Sequence, residues 1–426
     1  MMYDVIIIGG GAAGLIAAKV LSAEGKKILL LEARGQVGGR IYAVEILSYP
    51  AEGGAEFIHG NLKTTFDLLK EAGLRKTKLK GKFCRVKKGR WQEAGNLVPH
   101  WDLLIKKMKA CKKDMSVDDF LRGSFKAKKY ETLRNQFRKY VEGYDAADPA
   151  YTSVIAIKEE MENEDEDQYR PEDGYTALIK FLEQMSLKNG CLIKTSEPVL
   201  KVSANKNVEV LTAFGRYYGS KLIVAVPAGV LQCSKRGESF IEFPSVLSHH
   251  LKAAKNIGNG GVIKFLLEFD KAFWLQEDFL QKREIPAPSY IFGDTSIPTW
   301  WTQFPSKAPL LTGWIAGPSS YKMKNYSEKK FKKLLLKSLS SILSMPAKEL
   351  EKRLRAYKIM NWIKEPHILG GYSYPTLKTK KAQEVLRKPY ENTFYFAGEY
   401  LAKNSSSTVD AALQSGINAA RQILDL

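Results

Sequence analysis

Residues 3–40 read YDVIIIGGGAAGLIAAKVLSAEGKKILLLEARGQVGGR. Val5 to Ile8 is a β-branched apolar run, the composition of a strand buried on both faces. Gly9-Gly10-Gly11-Ala12-Ala13-Gly14 follows and contains G-x-G-x-x-G. Leu15 to Ala23 reads as a helix, and Lys27 to Leu31 as a second apolar strand. In such a unit Gly9 allows the tight turn, Gly11 admits a pyrophosphate, and Gly14 lets the helix lie close on the strand. Ala12 and Ala13 open the helix, whose positive end would face the phosphates. Glu32 ends the second strand, 18 residues beyond Gly14. A carboxylate there hydrogen-bonds a ribose hydroxyl and repels a 2′-phosphate. The stretch therefore reads as a dinucleotide site. A glycine turn used only for packing would leave Glu32 unexplained.

The next residues choose the dinucleotide. Glu32-Ala33-Arg34-Gly35-Gln36-Val37-Gly38-Gly39-Arg40 resembles the E-A-R-x-x-x-G-G-R signature of FAD-dependent oxidoreductases. Paired glycines ending at Gly39 let a second backbone segment approach the cofactor. Arg40 supplies a forked donor for a phosphate or a flavin carbonyl. A nicotinamide dehydrogenase has no use for this extension, so FAD is expected, contacted also by Ala33 and Arg34.

The chain has 426 residues, enough for two to four domains of about 100–200 residues. Its 44% apolar content is ample for real cores. No segment approaches the ~18 consecutive apolar residues of a membrane span, so no transmembrane anchor is expected. The first strand begins at Tyr3 and a helix runs almost to Leu426, which leaves no room for a signal peptide or a membrane tail. Cys84, Cys111, Cys191 and Cys233 form neither metal spacing nor a disulfide framework. The expectation is a cytoplasmic protein without a metal site. The net charge of +20 is concentrated in residues 75–140. The plain reading is a solvated, lysine-rich helical face. A surface for nucleic acid or anionic membrane is the sharper reading, and no zinc finger, recognition helix or aromatic–basic interleaving supports it.

Ala51 to Gly60, AEGGAEFIHG, again brings adjacent glycines to a cofactor, through Gly54, Ala55 and Glu56. Asn61 is placed to cap a helix running to Leu69. A strand pair around Phe83 to Trp91 and then lysine-rich helices follow. Glu159 to Asp167 holds acids and no base, and reads as a loop, a solvated helix end or an acidic rim. A helix from Tyr175 to Met185 leads to short strands around Cys191–Lys194, Glu197–Val202, Asn207–Leu211 and Lys221–Val226. Val199 is a candidate to pair its backbone with an adenine. Asn259 to Phe269 reads as one long strand with a single lysine, Lys264. Without further information Lys264 is as well explained by a snorkelling edge residue. Trp300, Trp301 and Trp314 fall on strand-like segments, 327–344 is helical, and Trp362 precedes Gly370-Gly371-Tyr372-Ser373-Tyr374. Phe394 to Glu399 is a strand entering a glycine turn at Gly398-Glu399. The helix from Thr408 to Ile423 presents Thr408, Val409 and Ala412 where its N-terminus would meet flavin carbonyls.

Taken together these segments resemble the flavin amine oxidase family: monoamine oxidases, polyamine oxidases and flavin-type histone lysine demethylases. The markers are GGGAAG, EARGQVGGR, GGAEFIHG, GGVIKF, LTGWIAG, LGGYSY and FAGEY followed by STVDAALQSG. The N-terminal signature is shared with carotenoid desaturases and protoporphyrinogen oxidases. The lysine strand, the Gly-x-Tyr-Ser element and the FAGE ending are more specific. The resemblance implies an α/β fold: a Rossmann-like FAD domain of the glutathione-reductase type, with a discontinuous substrate domain of mixed sheet and helices. Residues 1–75, 172–256 and 368–426 would form the first, and 76–171 and 257–367 the second.

It implies oxidation of a primary or polyamine-type amine to an imine and then an aldehyde, with oxygen reduced to hydrogen peroxide. Lys264 matches the lysine that holds a water against the flavin and assists the oxygen step. Tyr372 matches an aromatic flanking the amine, and Trp362 joins the cofactor set. Gly371 stands where monoamine oxidases carry a flavin-bonded cysteine, so the FAD should be non-covalent. Thr408 stands in the place of their second cage tyrosine, which leaves the cage half open. His59 matches a histidine of vertebrate polyamine oxidases, and a hydrogen-bonded structural histidine is the alternative. A desaturase or dehydrogenase of the same superfamily, acting on a carotenoid- or protoporphyrinogen-type substrate, would not need Lys264. A binding protein with structural FAD would make no peroxide. Partners are the amine and oxygen, in a monomer or homodimer.

Overall fold

The computed structural model describes residues 1–163, 167–204, 206–234, 237–402 and 407–425. The apolar run at the N-terminus forms a central strand, Met2–Ile8, parallel to Ile28–Leu31 on one side and Arg216–Val224 on the other. Leu192–Lys194 extends the parallel edge beyond Ile28–Leu31. The far side of Arg216–Val224 is shared. Its first half pairs antiparallel with Val208–Thr212, which in turn pairs with Val199–Ala204. Its second half pairs parallel with Phe394–Phe396, so the end of the chain returns to this sheet. Central strands covered on both sides must be apolar throughout, and Ile6, Ile7, Leu29 and Leu222 are fully buried. One face is covered by the helices Ala12–Ala23, Gly174–Lys188 and Val409–Leu424. The other is covered by Ser248–Ala254 and Thr379–Leu386.

A second mixed sheet runs in the order Leu354–Asn361, Val262–Phe269, Leu310–Ala316, Thr299–Trp301, Pro288–Gly293, Lys82–Lys87, Arg90–Glu93. The strand Val262–Phe269 is buried along its whole length. Ile263, Phe265 and Leu267 face a core that includes Phe331, Leu335 and Leu339 of the helix Glu328–Leu343. Alternation sends Val262, Lys264 and Leu266 the other way, where Val262 and Leu266 pack with Met360 and Trp362. A helical layer of Trp101–Lys109, Val117–Ser124, Glu131–Tyr144 and Val154–Asn163 lies alongside with its own core. The molecule is thus a mixed α/β fold.

Several local readings change. The long strand at 259–269 is broken: Gly258–Asn259 pairs with Ser373–Tyr374, and a new strand starts at Val262. Asn61 does not cap its helix, which spans Lys63–Glu71 after Leu62 and has no side-chain cap. Asp410, from the last helix, accepts from Thr65 N and Oγ1 instead, at 2.7 and 2.9 Å. Glu159 and Glu160 lie on the helix Val154–Asn163, and 164–166 fall outside the described residues. Lys106, Lys107 and Lys109 are exposed while Leu104 and Met108 turn inward, as a solvated basic helix face requires. The four cysteines are free. Among the described residues no helix is long and apolar enough to cross a membrane, and no group of three His, Cys, Asp or Glu is placed to hold a metal.

Candidate active site

A cavity of about 1750 Å³ runs from the glycine turn of the first sheet to Lys264 of the second. Ligand pockets commonly hold roughly 300–1,000 Å³, so this one has room for a dinucleotide and a second molecule. At its nucleotide end, Gly11 precedes the helix Ala12–Ala23, whose first turn has no side-chain cap. A Cβ placed on Gly11 would meet no atom within 4 Å and would project into open space. The residue thus leaves a cradle at a helix N-terminus, the setting in which backbone N–H groups receive a phosphate. Glu32, only 6% exposed, lies beside this cradle. Its carboxylate accepts from Gly10 N at 2.7 Å and Arg34 N at 2.8 Å. Burial raises its pKa against those backbone bonds. Val199 lines the same end.

Ala33, Gly39, Arg40, Gly54, Ala55, Trp362, Gly398, Glu399, Thr408, Val409 and Ala412 line the cavity as well. Two expected contacts do not. Gly14 lies beneath the turn, where a Cβ would come within 1.9 Å of Gly9 O, so its part is the helix–strand approach. The Arg34 guanidinium turns away to Gly39 O at 2.9 Å, to Glu365 at 3.0 Å and over the Tyr42 ring. Arg40 binds Glu399 at 2.8 Å and Gly371 O at 2.6 Å, joining the early glycine motif to the late one. Glu399 also accepts from Ser373 Oγ at 2.6 Å. Trp362 Nε1 donates to Gly53 O at 3.0 Å.

At the other end stands Lys264, 1% exposed and in an interior strand, which removes the snorkelling reading. Its Nζ donates to Glu56 Oε2 at 2.7 Å and Gly54 O at 3.1 Å, and lies 5.3 Å from the Trp301 ring centre. Glu56 also accepts from Arg170 Nε at 3.0 Å and from Trp301 Nε1 at 3.0 Å. Burial would raise the Glu56 pKa, but Lys264 and Arg170 outweigh it and hold the carboxyl below its usual range. Glu56 lines the cavity, and its carboxylate oxygens are taken up by these protein donors.

Rings wall this end. Tyr372 stacks at 18° on Trp314, centroids 6.4 Å apart, and Trp314 meets Trp301 at 5.7 Å. The Tyr372 hydroxyl donates to Tyr144 O at 2.6 Å. His59 stands edge-on to Tyr144 at 5.8 Å. Its Nδ1 is buried with no hydrogen-bond partner among the described residues. Burial lowers its pKa to about 4. Thr408 is the N-cap of Val409–Leu424, its hydroxyl accepting from Ala411 N at 3.0 Å.

Sequence reasoning missed Arg170, Trp301 and Trp314 as site residues. The signal for Arg170 was indirect: a buried lysine and carboxylate need further donors, and those come from strands remote in sequence.

A family model described as flavin containing amine oxidoreductase matches residues 12–424. Lysine-specific histone demethylase 1 homolog 3 of Arabidopsis thaliana is 24% identical over 99% of this chain and 30% of its own length. The chain therefore spans under a third of that relative. Polyamine oxidase 2 of Arabidopsis thaliana is 24% identical over 98% of this chain and 87% of its own. Wild-type putrescine oxidase bound to putrescine has the same fold, with a TM-score of 0.80, 20% identity and full coverage of both chains.

Proposed function

Since the chain belongs to the flavin-containing amine oxidoreductase family, we propose that it is an amine oxidase with non-covalent FAD. It converts a primary or polyamine-type amine to an imine, which hydrolyses to the aldehyde, while oxygen becomes hydrogen peroxide. A flavin held here would supply an acceptor for a hydride equivalent from the carbon beside the amine nitrogen and a route for the electrons to oxygen. Gly11, Glu32 and Arg40 would hold its nucleotide and phosphate portions. Residues 1–75, 172–256 and 368–426 serve the cofactor, and 76–171 and 257–367 the substrate.

The observation that carries the reading is the buried Lys264 at the cavity wall, beside a ring wall that suits an amine. Tyr372 and Trp314 orient the amine, by its lone pair or by cation–π attraction. Neutral His59 offers a ring nitrogen within the same cavity. The Lys264 side chain places a donor where negative charge develops on oxygen, in surroundings that exclude water. The test is a panel of mono-, di- and polyamines with peroxide read-out, alongside anaerobic bleaching of the yellow protein. A protein that no amine bleaches is not an amine oxidase.

A further inference from the structure

We propose that Glu56 is the positioning residue of the oxygen step: it holds Lys264 as an ammonium with one N–H directed into the cavity. The inference rests on the amine oxidase reading and assigns a role to a residue that the glycine motif alone would place against the cofactor.

The argument starts from donor counting. An ammonium has three donors on a freely turning head. Glu56 Oε2 and Gly54 O take two of them, at 2.7 and 3.1 Å. Both acceptors come from one short segment, so they fix the head in one rotation. The third donor is left for whatever occupies the cavity that Lys264 lines.

Charge counting gives the second half. Glu56 is shared between Lys264 and Arg170, whose side chains are 1% and 15% exposed. While the buried Glu52 feels Lys264 through space, its pKa raised by burial, Glu56 is the carboxylate that both cations touch directly. The carboxylate is itself oriented by Trp301 Nε1 at 3.0 Å, and Arg170 is anchored to Thr302 O at 3.0 Å. The other ionisable groups near the cluster are Glu52, hydrogen-bonded to Thr176, and the buried Tyr290. From the two strands flanking Lys264, its register partners are Trp314 and Met360, which do not titrate. Glu56 is thus the carboxylate in direct contact with the Lys264 head. Without it the buried Lys264 would face the partly buried Arg170, and burial with a like charge favours the neutral amine.

The test is a cycle of Glu56→Gln, Lys264→Met and the double variant, with Glu56→Asp as the conservative control. Reoxidation by oxygen is followed after photoreduction, so no amine is needed. Glu56→Gln should slow it about tenfold, within the range of coupling between contacting residues. Its rate should also depend more steeply on pH than that of wild type or Glu56→Asp, falling as pH rises. In the Lys264→Met background Glu56→Gln should change the rate less than about twofold. Thermal midpoints of the same four proteins supply a readout independent of turnover: Glu56→Gln should lower the midpoint more when Lys264 is present, because it strands a buried cation. Equal rate losses in both backgrounds, or a pH profile unchanged by Glu56→Gln, would overturn the proposal. If Glu56→Gln alone does not fold, the double variant against Lys264→Met still decides, since a further large loss of rate there contradicts a role exerted through Lys264. Failure of every amine in the panel would sink the functional reading and leave this cycle intact.

Discussion

At the scale of single residues the sharpest expectation concerns Lys264 itself. Lys264→Met keeps length and apolar body and removes the charge. Loss of one such group typically costs a factor of about 10²–10³ in rate. The loss should fall on reoxidation far more than on anaerobic reduction by amine, measured separately by stopped-flow absorbance. Reoxidation within about threefold of wild type would contradict it. Gly371 gives a second expectation. A Cβ there would lie 2.4 Å from Val262 Cγ2 and 2.8 Å from Val262 Cβ. Val262 is buried in the lysine strand and cannot retreat freely. The flavin should therefore go to the supernatant when wild type is precipitated with acid. Gly371→Cys should lower flavin content rather than create a covalent link, overpacking of this kind costing about 1–3 kcal/mol. Flavin remaining on the precipitated polypeptide of either protein would contradict this.

At the scale of elements, Thr408 behaves as a cap. Thr408→Ala should destabilise the protein by about 1 kcal/mol, and Thr408→Ser should restore most of it, in urea unfolding. A Thr408→Ala protein as stable as wild type would return the residue to a purely substrate-facing role. The cap was hidden in the sequence by its resemblance to a cage position, although a threonine just before an alanine-rich run is itself a start signal. Elements whose pattern is local were legible: the strand–turn–helix at Val5–Ala23, the helix Glu328–Leu343, and the buried strand around Lys264. What escaped depends on partners far along the chain. Arg170 lies on Gln168–Pro171, a short strand between Ile58–His59 and Lys76–Lys78, and no periodicity in it points to Glu56. Asn61 satisfied the local rule for a cap, yet Asp410 supplied the acceptor from the last helix. Arg34 fitted its motif, yet its guanidinium is engaged by Glu365 and Gly39 O and lies outside the cavity lining.

At the scale of the whole molecule, stability carries a histidine signature. Folded His59 has its pKa held near 4, against 6.5 for the free side chain. As pH falls from about 6.5 towards 4, the unfolded chain gains a proton that the folded chain refuses. Stability present above that window is therefore lost within it. Wild type should lose more thermal midpoint between pH 7 and 4.5 than His59→Gln does, the carboxylates titrating alike in both. Equal losses would place His59 in a wetter setting. The tie from Arg40 to Glu399 has a further consequence, for biosynthesis. The glycine turn leaves the ribosome long before its partner does, for its arginine meets its carboxylate only 359 residues later. The helix Ala12–Ala23 waits as long for its lid, since Gly416 is the residue whose missing Cβ lets Val409–Leu424 settle on Ala13 O. Domains that fold as they emerge start from the N-terminus; here Gly174–Lys188 can cover one side of the helix Ala12–Ala23, but the side that Val409–Leu424 packs on stays open until that helix follows. Nascent chains stalled before Phe394 should be unable to retain flavin and should engage chaperones, and flavin uptake should begin only once the closing helix has cleared the exit tunnel.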